Sequence, residues 1–439
     1  VAITAGKLGI GFTDTNVKIG NTALDSLTTG TENTAVGDKA LTANTTGSTN
    51  TAVGYESLDA NTTGSNNVGV GRKSLTENTT GANNTALGTS ALFSNTTGSD
   101  NTSVGFAALD VNTTASNNTA VGSAALGANT TGGSNSAVGK DALLVNTTGD
   151  ANTAVGAYAL DANTTASNNT ALGYLALTTN VTGSNNTGIG KDSLRDGTGD
   201  DNTGCGAFTL RANSTGSYNV AVGRGALIKN TTANHNTGVG YGVLYENTTG
   251  TRNIAIGSYA LDANTTAVEN IAIGYNALTS NTTGTRNVCV GNYALEDTVT
   301  GTNNAAFGSH ALSNNTGNHN TACGDGSLAA NTTGANNVAV GSAALDANTT
   351  GEKKTAVGSN ALGANTADQN TAMGYYALST NSTGTTNTAI GVQAMHLNTT
   401  GSRNTSIGHF CLDANTTADR NTAMGFKALT ANTTGSYNT

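Results

Sequence analysis

The chain contains no proline and no tryptophan, and only 10% of its 439 residues are charged. Each shortage excludes something. A chain without proline suits a backbone whose N–H groups are nearly all committed to a hydrogen-bond ladder, which proline would break. With so little charge, and a net charge of −9 spread without runs, there is no basic face for nucleic acid. Aromatics make up 4% of the residues, too few for the cores of the two or three globular domains that this length would otherwise suggest. No apolar stretch approaches the length of a membrane span, so no membrane insertion is expected. The chain begins at Val1 with no signal-peptide pattern after it, which leaves two readings open: a leader already removed, or a segment of a longer protein.

What is abundant is Asn, Thr, Ser, Ala and Gly, with 58 glycines. Such a composition suits disorder when it is aperiodic. Here it is strictly periodic. The segment Asn33-Thr34-Ala35-Val36-Gly37 recurs every 17 residues to Gly425, with the spacing shortened to 16 only before Gly206, Gly324 and Gly374. The unit reads N-T-A-V-G-x-x-A-L-x-x-N-T-T-G-x-x, and a fixed period of this length signals a stacked-repeat architecture. Helix is excluded by the several Asn, Thr and Gly residues in each unit, and collagen by the absence of a three-residue glycine period.

The pattern predicts an all-β fold, a parallel β-solenoid (β-roll) of about 24 coils with a 17-residue repeat. Residues 1–15 read as an irregular or capping segment and 16–439 as one continuous array. Two strands per coil are expected, T-A-V and A-L-x-x, with the Gly and the N-T-T-G segment as corners. The three shortened units lose their residue in the N-T-T-G corner, where a deletion leaves strand register intact. Coils about 4.8 Å apart would give a rod ~110–120 Å long, with Leu stacked on Leu inside and Asn on Asn at the corners.

Alternation along a strand places neighbouring residues on opposite faces. Val36 and Leu41 are therefore expected inside, leaving Ala35 and Ala40 outside. A position that stays small in every coil is explained either by another chain packed closely against it, as in a homotrimer, or by tight curvature of a single coil. Cys205 and Cys323 stand at the Val place and Cys289 and Cys411 at the Ala places, and all four read as small buried hydrophobes. Met373, Met395 and Met424 replace Val or Leu and read as core.

The N-T-A-V-G-x-x-A-L unit resembles the head repeat of trimeric autotransporter adhesins, the YadA-like β-roll, with a longer coil through the added N-T-T-G corner. It is also similar to the repeats of tail-fibre-type surface proteins. The resemblance covers residues 16–439. It implies an extracellular protein of a cell surface or virion fibre and self-association as a homotrimer.

Chemistry-bearing residues are few. The cysteines lack metal-ligand spacing, and His235, His310, His319, His396 and His409 fall at variable places with no recurring Ser or Cys partner. Gly188-Ile189-Gly190-Lys191-Asp192-Ser193 superficially looks like a phosphate loop but opens no helix. The acidic corner Asp196-Gly197-Thr198-Gly199-Asp200-Asp201 lacks the full oxygen-ligand pattern of a calcium loop. No catalytic residue, metal site or cofactor is expected. The N-T-T corner is an N-glycosylation sequon in almost every coil, and equally an asparagine ladder.

One surface feature stands out. The two places after each Gly hold most of the aromatics, among them Tyr55, Tyr174, Tyr241, Tyr275, Tyr375 and Tyr376. Stacked, they would form a ridge suited to cell-surface glycan, or merely stiffen the coil edge. The expected function is a non-catalytic extracellular fibre or adhesin shaft that gives reach and possible surface or glycan attachment. The alternative is a filament subunit polymerising end to end through open solenoid ends.

Overall fold

A computed structural model describes residues 10–13 and 15–439, with side chains from Thr15 onward. Among the described residues there is no helix. The chain is an all-β parallel β-solenoid of about 24 coils. Its coils fall into two compact units, one ending at Tyr218 and the other running from Asn219 to Thr439.

In the first unit, β1 (Ile10–Thr13) pairs antiparallel with β2 (Asn16–Ile19), and β2 pairs parallel with the strand Thr34–Val36 of the first full coil. The segment expected over residues 1–15 lies otherwise outside the described residues. From there each coil adds one three-residue strand in register with the last, Thr34 on Thr51, Ala35 on Ala52 and Val36 on Val53. The second unit repeats the arrangement from Val220–Val222 to Thr422–Met424. The one-residue deletions leave this register untouched. Across them Ile189 still pairs with Cys205, Phe307 with Cys323 and Val357 with Met373.

The expected second strand, A-L-x-x, is instead a run of tight turns. Lys39 and Leu41 take φ of +59° and +54°, and Thr49 takes +60°. Non-glycine residues rarely enter this left-handed region. Here the same three places enter it in coil after coil, because doing so aims each N–H at a neighbouring coil. Lys39 N donates to Asn21 O at 3.0 Å, Leu41 N to Ser57 O at 3.0 Å and Thr49 N to Thr31 O at 2.9 Å. The turns are thus bonded coil to coil like the strands. At the Gly corner only glycine fits: Gly37 has φ +139°, and a β-carbon there would lie 2.4 Å from Gly54 O of the next coil.

The interior corrects the face assignment. Ala35, Ala40 and Leu41 are fully buried, as are Leu177, Leu261 and Leu345 or nearly so, but the residue before the Gly points outward. Leu87 is 48% exposed and Phe307 43%. The physical reason is width. A β-carbon built on Gly69 would meet Ser57 Oγ at 2.6 Å, Ser74 Oγ at 3.0 Å and Leu58 Cδ1 at 3.5 Å. The interior opposite the strand is already filled by the Leu column and the small residues of the turn, so it has no room for Val. Alanine is small because its own chain encloses it. The outward Ala face from which a trimer was expected does not exist.

The same inversion moves two cysteines and two methionines. Cys205 and Cys323 are exposed, while Cys289 and Cys411 are buried. Met395 is core, but Met373 and Met424 are exposed.

Two asparagine columns complete the interior. Asn61 Nδ2 donates to Asn44 Oδ1 of the preceding coil at 2.9 Å and to Gly64 O at 3.0 Å. Asn50 donates from its backbone N to Asn33 Oδ1 at 3.0 Å and from Nδ2 to the same Gly64 carbonyl at 2.9 Å. Buried amides are costly unless their donors and acceptors are paired. These pair with copies of themselves, the ladder expected of the corner. The Asn of the N-T-T sequon is therefore enclosed and its amide engaged, out of reach of a glycosylating enzyme in the folded chain.

Candidate functional site

Three surface features and one interior irregularity carry chemistry. The first is the aromatic row. Tyr55, Tyr174, Tyr241, Tyr275 and Tyr375 are exposed and Tyr376 is half-buried. The six do not form one ridge. In the second unit Tyr241, Tyr259, Tyr275 and Tyr293 pack edge to face at 5.3, 6.3 and 5.4 Å between ring centroids, and Tyr293 stacks on His310 at 5.0 Å. Tyr174 meets only the edge of Tyr158, at 6.2 Å. Tyr55 belongs to a charged cluster in which Lys39 lies 5.8 Å from its ring and also 3.1 Å from Glu56. A hydrogen bond to Glu56 raises the Tyr55 phenol above its ordinary range, and the same bond, then Lys39, holds Glu56 below its own. Tyr375 and Tyr376 pack edge to face at 4.4 Å.

The second feature is the outward column of residues before the Gly. Val36, Leu87, Val121, Leu172, Ile256, Val290, Phe307, Met373 and Ile390 all occupy it, and every coil places an apolar residue or cysteine there. Solvent-facing places in a repeat drift toward polar residues, whereas this column stays apolar or cysteine throughout.

The third feature was not legible as a site in the sequence. The place after each Leu forms a column that runs Asp346, Gly363, Ser379, His396, Asp413 in successive coils. Ser379 Oγ and His396 Nδ1 lie 2.7 Å apart, and Tyr376 packs edge-on to the imidazole at 5.8 Å. Sequence reasoning missed the pair because its members are 17 residues apart and adjacent only through the stacking. Serine beside histidine is half of a nucleophile–base arrangement. The carboxylate next in the column does not complete it, since Asp413 Oδ1 is buried without a partner. Beside Ser379, where Gly363 of the preceding coil has no side chain, lies a shallow hollow open to solvent, about 350 Å³ in volume and lined also by Asp346, Asn360 and Tyr376. Burial pushes the Asp346 carboxyl above the ordinary carboxylate range. His310, by contrast, bonds the serine beside it, Ser309, at 2.9 Å.

The irregularity is Lys354. It takes the place of the inner asparagine, is buried, and donates from Nζ to Asn348 Oδ1 and Asn365 O. Burial pushes its ammonium down to about 7. Asn365, in the shortened coil above, keeps both side-chain polar atoms buried and unpartnered. A lone lysine among asparagines carried no signal of burial in the sequence.

Among the described residues no group of three or more His, Cys, Asp or Glu side chains is placed to hold a metal ion. The described residues form no helix long and apolar enough to cross a membrane, having none at all. Compared with known proteins, the chain matches no family model and no curated protein.

Proposed function

We propose that the chain is the non-catalytic shaft of an extracellular fibre or adhesin, built for reach and stiffness and associating with copies of itself. The observation that carries this reading is the repeated coil. Within each compact unit one cross-section is kept, each coil bonded to the next through strand, turn and asparagine column, so length is added one coil at a time. The resemblance of the N-T-A-V-G-x-x-A-L unit to trimeric autotransporter heads and tail-fibre repeats supports the same reading. The outward apolar column supports self-association, because a second copy is a partner with the same coil-to-coil spacing.

Electron micrographs of the purified chain, beside a variant lacking four whole coils, test the shaft. Discrete rods that shorten in proportion to the coils removed are expected. Compact particles, or a length indifferent to coil number, overturn the reading, and continuous fibres favour end-to-end polymerisation instead.

A further inference from the structure

In the column after each Leu, most coils fill the surface with a side chain. Where glycine falls in the first unit, at Gly127, the neighbouring Leu144 approaches, its Cδ1 3.5 Å from where a β-carbon would sit. At Gly363 the side chain that approaches is a carboxylate rather than an apolar group. A β-carbon there would find Asp346 Oδ1 at 3.4 Å and backbone oxygens of Asn360 and Ser379 at 3.5 and 3.9 Å, all ordinary contacts. Gly363 also has no left-handed φ that would demand glycine. The fold accepts a side chain at this place, and its absence leaves the open hollow of about 350 Å³.

The hollow is shallow and open to solvent, so it would receive one small unit at its surface rather than enclose it. Its lining narrows the chemistry. The carboxylate of Asp346 disfavours an anion, and no second carboxylate lines the cavity to hold a cation. An apolar ligand would take water from the Asp346 carboxyl and the Asn360 carbonyl oxygen without replacing it. A molecule with one C–H face and several hydroxyls meets both demands: the Tyr376 ring offers an apolar body, and carboxylate and amide offer hydroxyl partners in fixed places. The Ser379–His396 hydrogen bond and the edge contact of Tyr376 on His396 hold that side of the cavity in place.

We infer that the cavity at Gly363 binds one neutral sugar residue, with Tyr376 against its C–H face and Asp346 and Asn360 on its hydroxyls. This goes beyond the shaft reading and does not depend on it: a rod in micrographs says nothing of the sugar, and a failed sugar test leaves the rod untouched.

Saturation-transfer NMR on the full chain, with glucose, galactose, mannose and N-acetylglucosamine as probes, tests the site. At least one probe should receive saturation from the unaltered chain. Gly363→Asp, which gives this coil the side chain its neighbour has in Asp346, should abolish the signal while the circular dichroism stays unchanged. Tyr275→Ala, which alters the aromatic row elsewhere in the second unit, should leave the signal intact. If Gly363→Asp does not fold, Tyr376→Ala decides instead, and loss of signal is again expected. No transfer to any of the four sugars, or a signal that survives these substitutions or is lost with Tyr275, overturns the assignment.

Discussion

Lys354 Nζ donates to Asn348 Oδ1 at 2.5 Å, inside a column where the other full coils place asparagine. The lysine keeps the link to the preceding coil through its own backbone, N to Asn337 Oδ1 at 3.1 Å. It has no side-chain oxygen to offer the backbone N–H of Asn370 in the following coil. The column is broken on one side only.

This sets a pH dependence. Burial lowers the folded-state pKa of Lys354 from 10.5 to about 7, with Asp368 acting the other way. Between those two values the unfolded chain holds the proton and the folded chain does not, so stability rises with pH across that window and is flat below it. Thermal melts followed by hydrogen exchange around residues 348–370 should show this slope. Lys354→Asn, which restores the column, should remove it and stabilise the region near neutral pH by on the order of 1–3 kcal/mol.

The inverted faces separate two neighbouring substitutions. Ala120 is fully enclosed and Val121 faces outward. Ala120→Glu forces an unpaired carboxylate into the interior, at a cost of several kcal/mol, and should unfold the surrounding coils. Val121→Glu, repeated at Leu87 and Val138, should leave the circular dichroism unchanged while lowering the mass seen in sedimentation. A normal assembly state with all three replaced would remove the outward column as the self-association surface.

Truncating an interior leucine should be costly but local. Leu177→Ala removes a buried side chain that the stacked leucines enclose, a change of about 2–4 kcal/mol. Because each coil depends on its neighbours, protection from hydrogen exchange should fall in the adjacent coils and persist several coils away.

Thiol reactivity reads the same geometry. Cys205 and Cys323 are exposed, whereas Cys289 and Cys411 are buried and burial pushes the Cys289 thiol up to about 12. Under native conditions a maleimide should label two thiols quickly, with the other two reacting only on unfolding. Rapid labelling of Cys289 would contradict its enclosed place.

The coil, its period and its corner deletions were legible because each rests on repetition, which survives any uncertainty about a single residue. The faces were not. Val beside Ala in a strand reads as Val-in by hydrophobicity, and only the width of the coil, set by Leu58 and Ser74 across from Gly69, reverses it. The A-L-x-x turns were hidden for a different reason: leucine at φ +54° contradicts its own conformational preference, and bonding to both neighbouring coils overrides it. The Gly363 cavity depends on a column read down the stack, a direction in which residues distant in sequence are adjacent in space.

The strand register that runs unbroken past each one-residue loss has a genetic counterpart. Coding segments for repeated coils, where similar enough, are able to recombine out of alignment. An unequal exchange removes or adds whole coils, and every junction it creates joins a Thr-Ala-Val to another Thr-Ala-Val one coil away, as Val357 joins Met373 across a shortened corner. A chain that loses or gains a whole coil therefore keeps its strand register, and its length can change in steps of one coil.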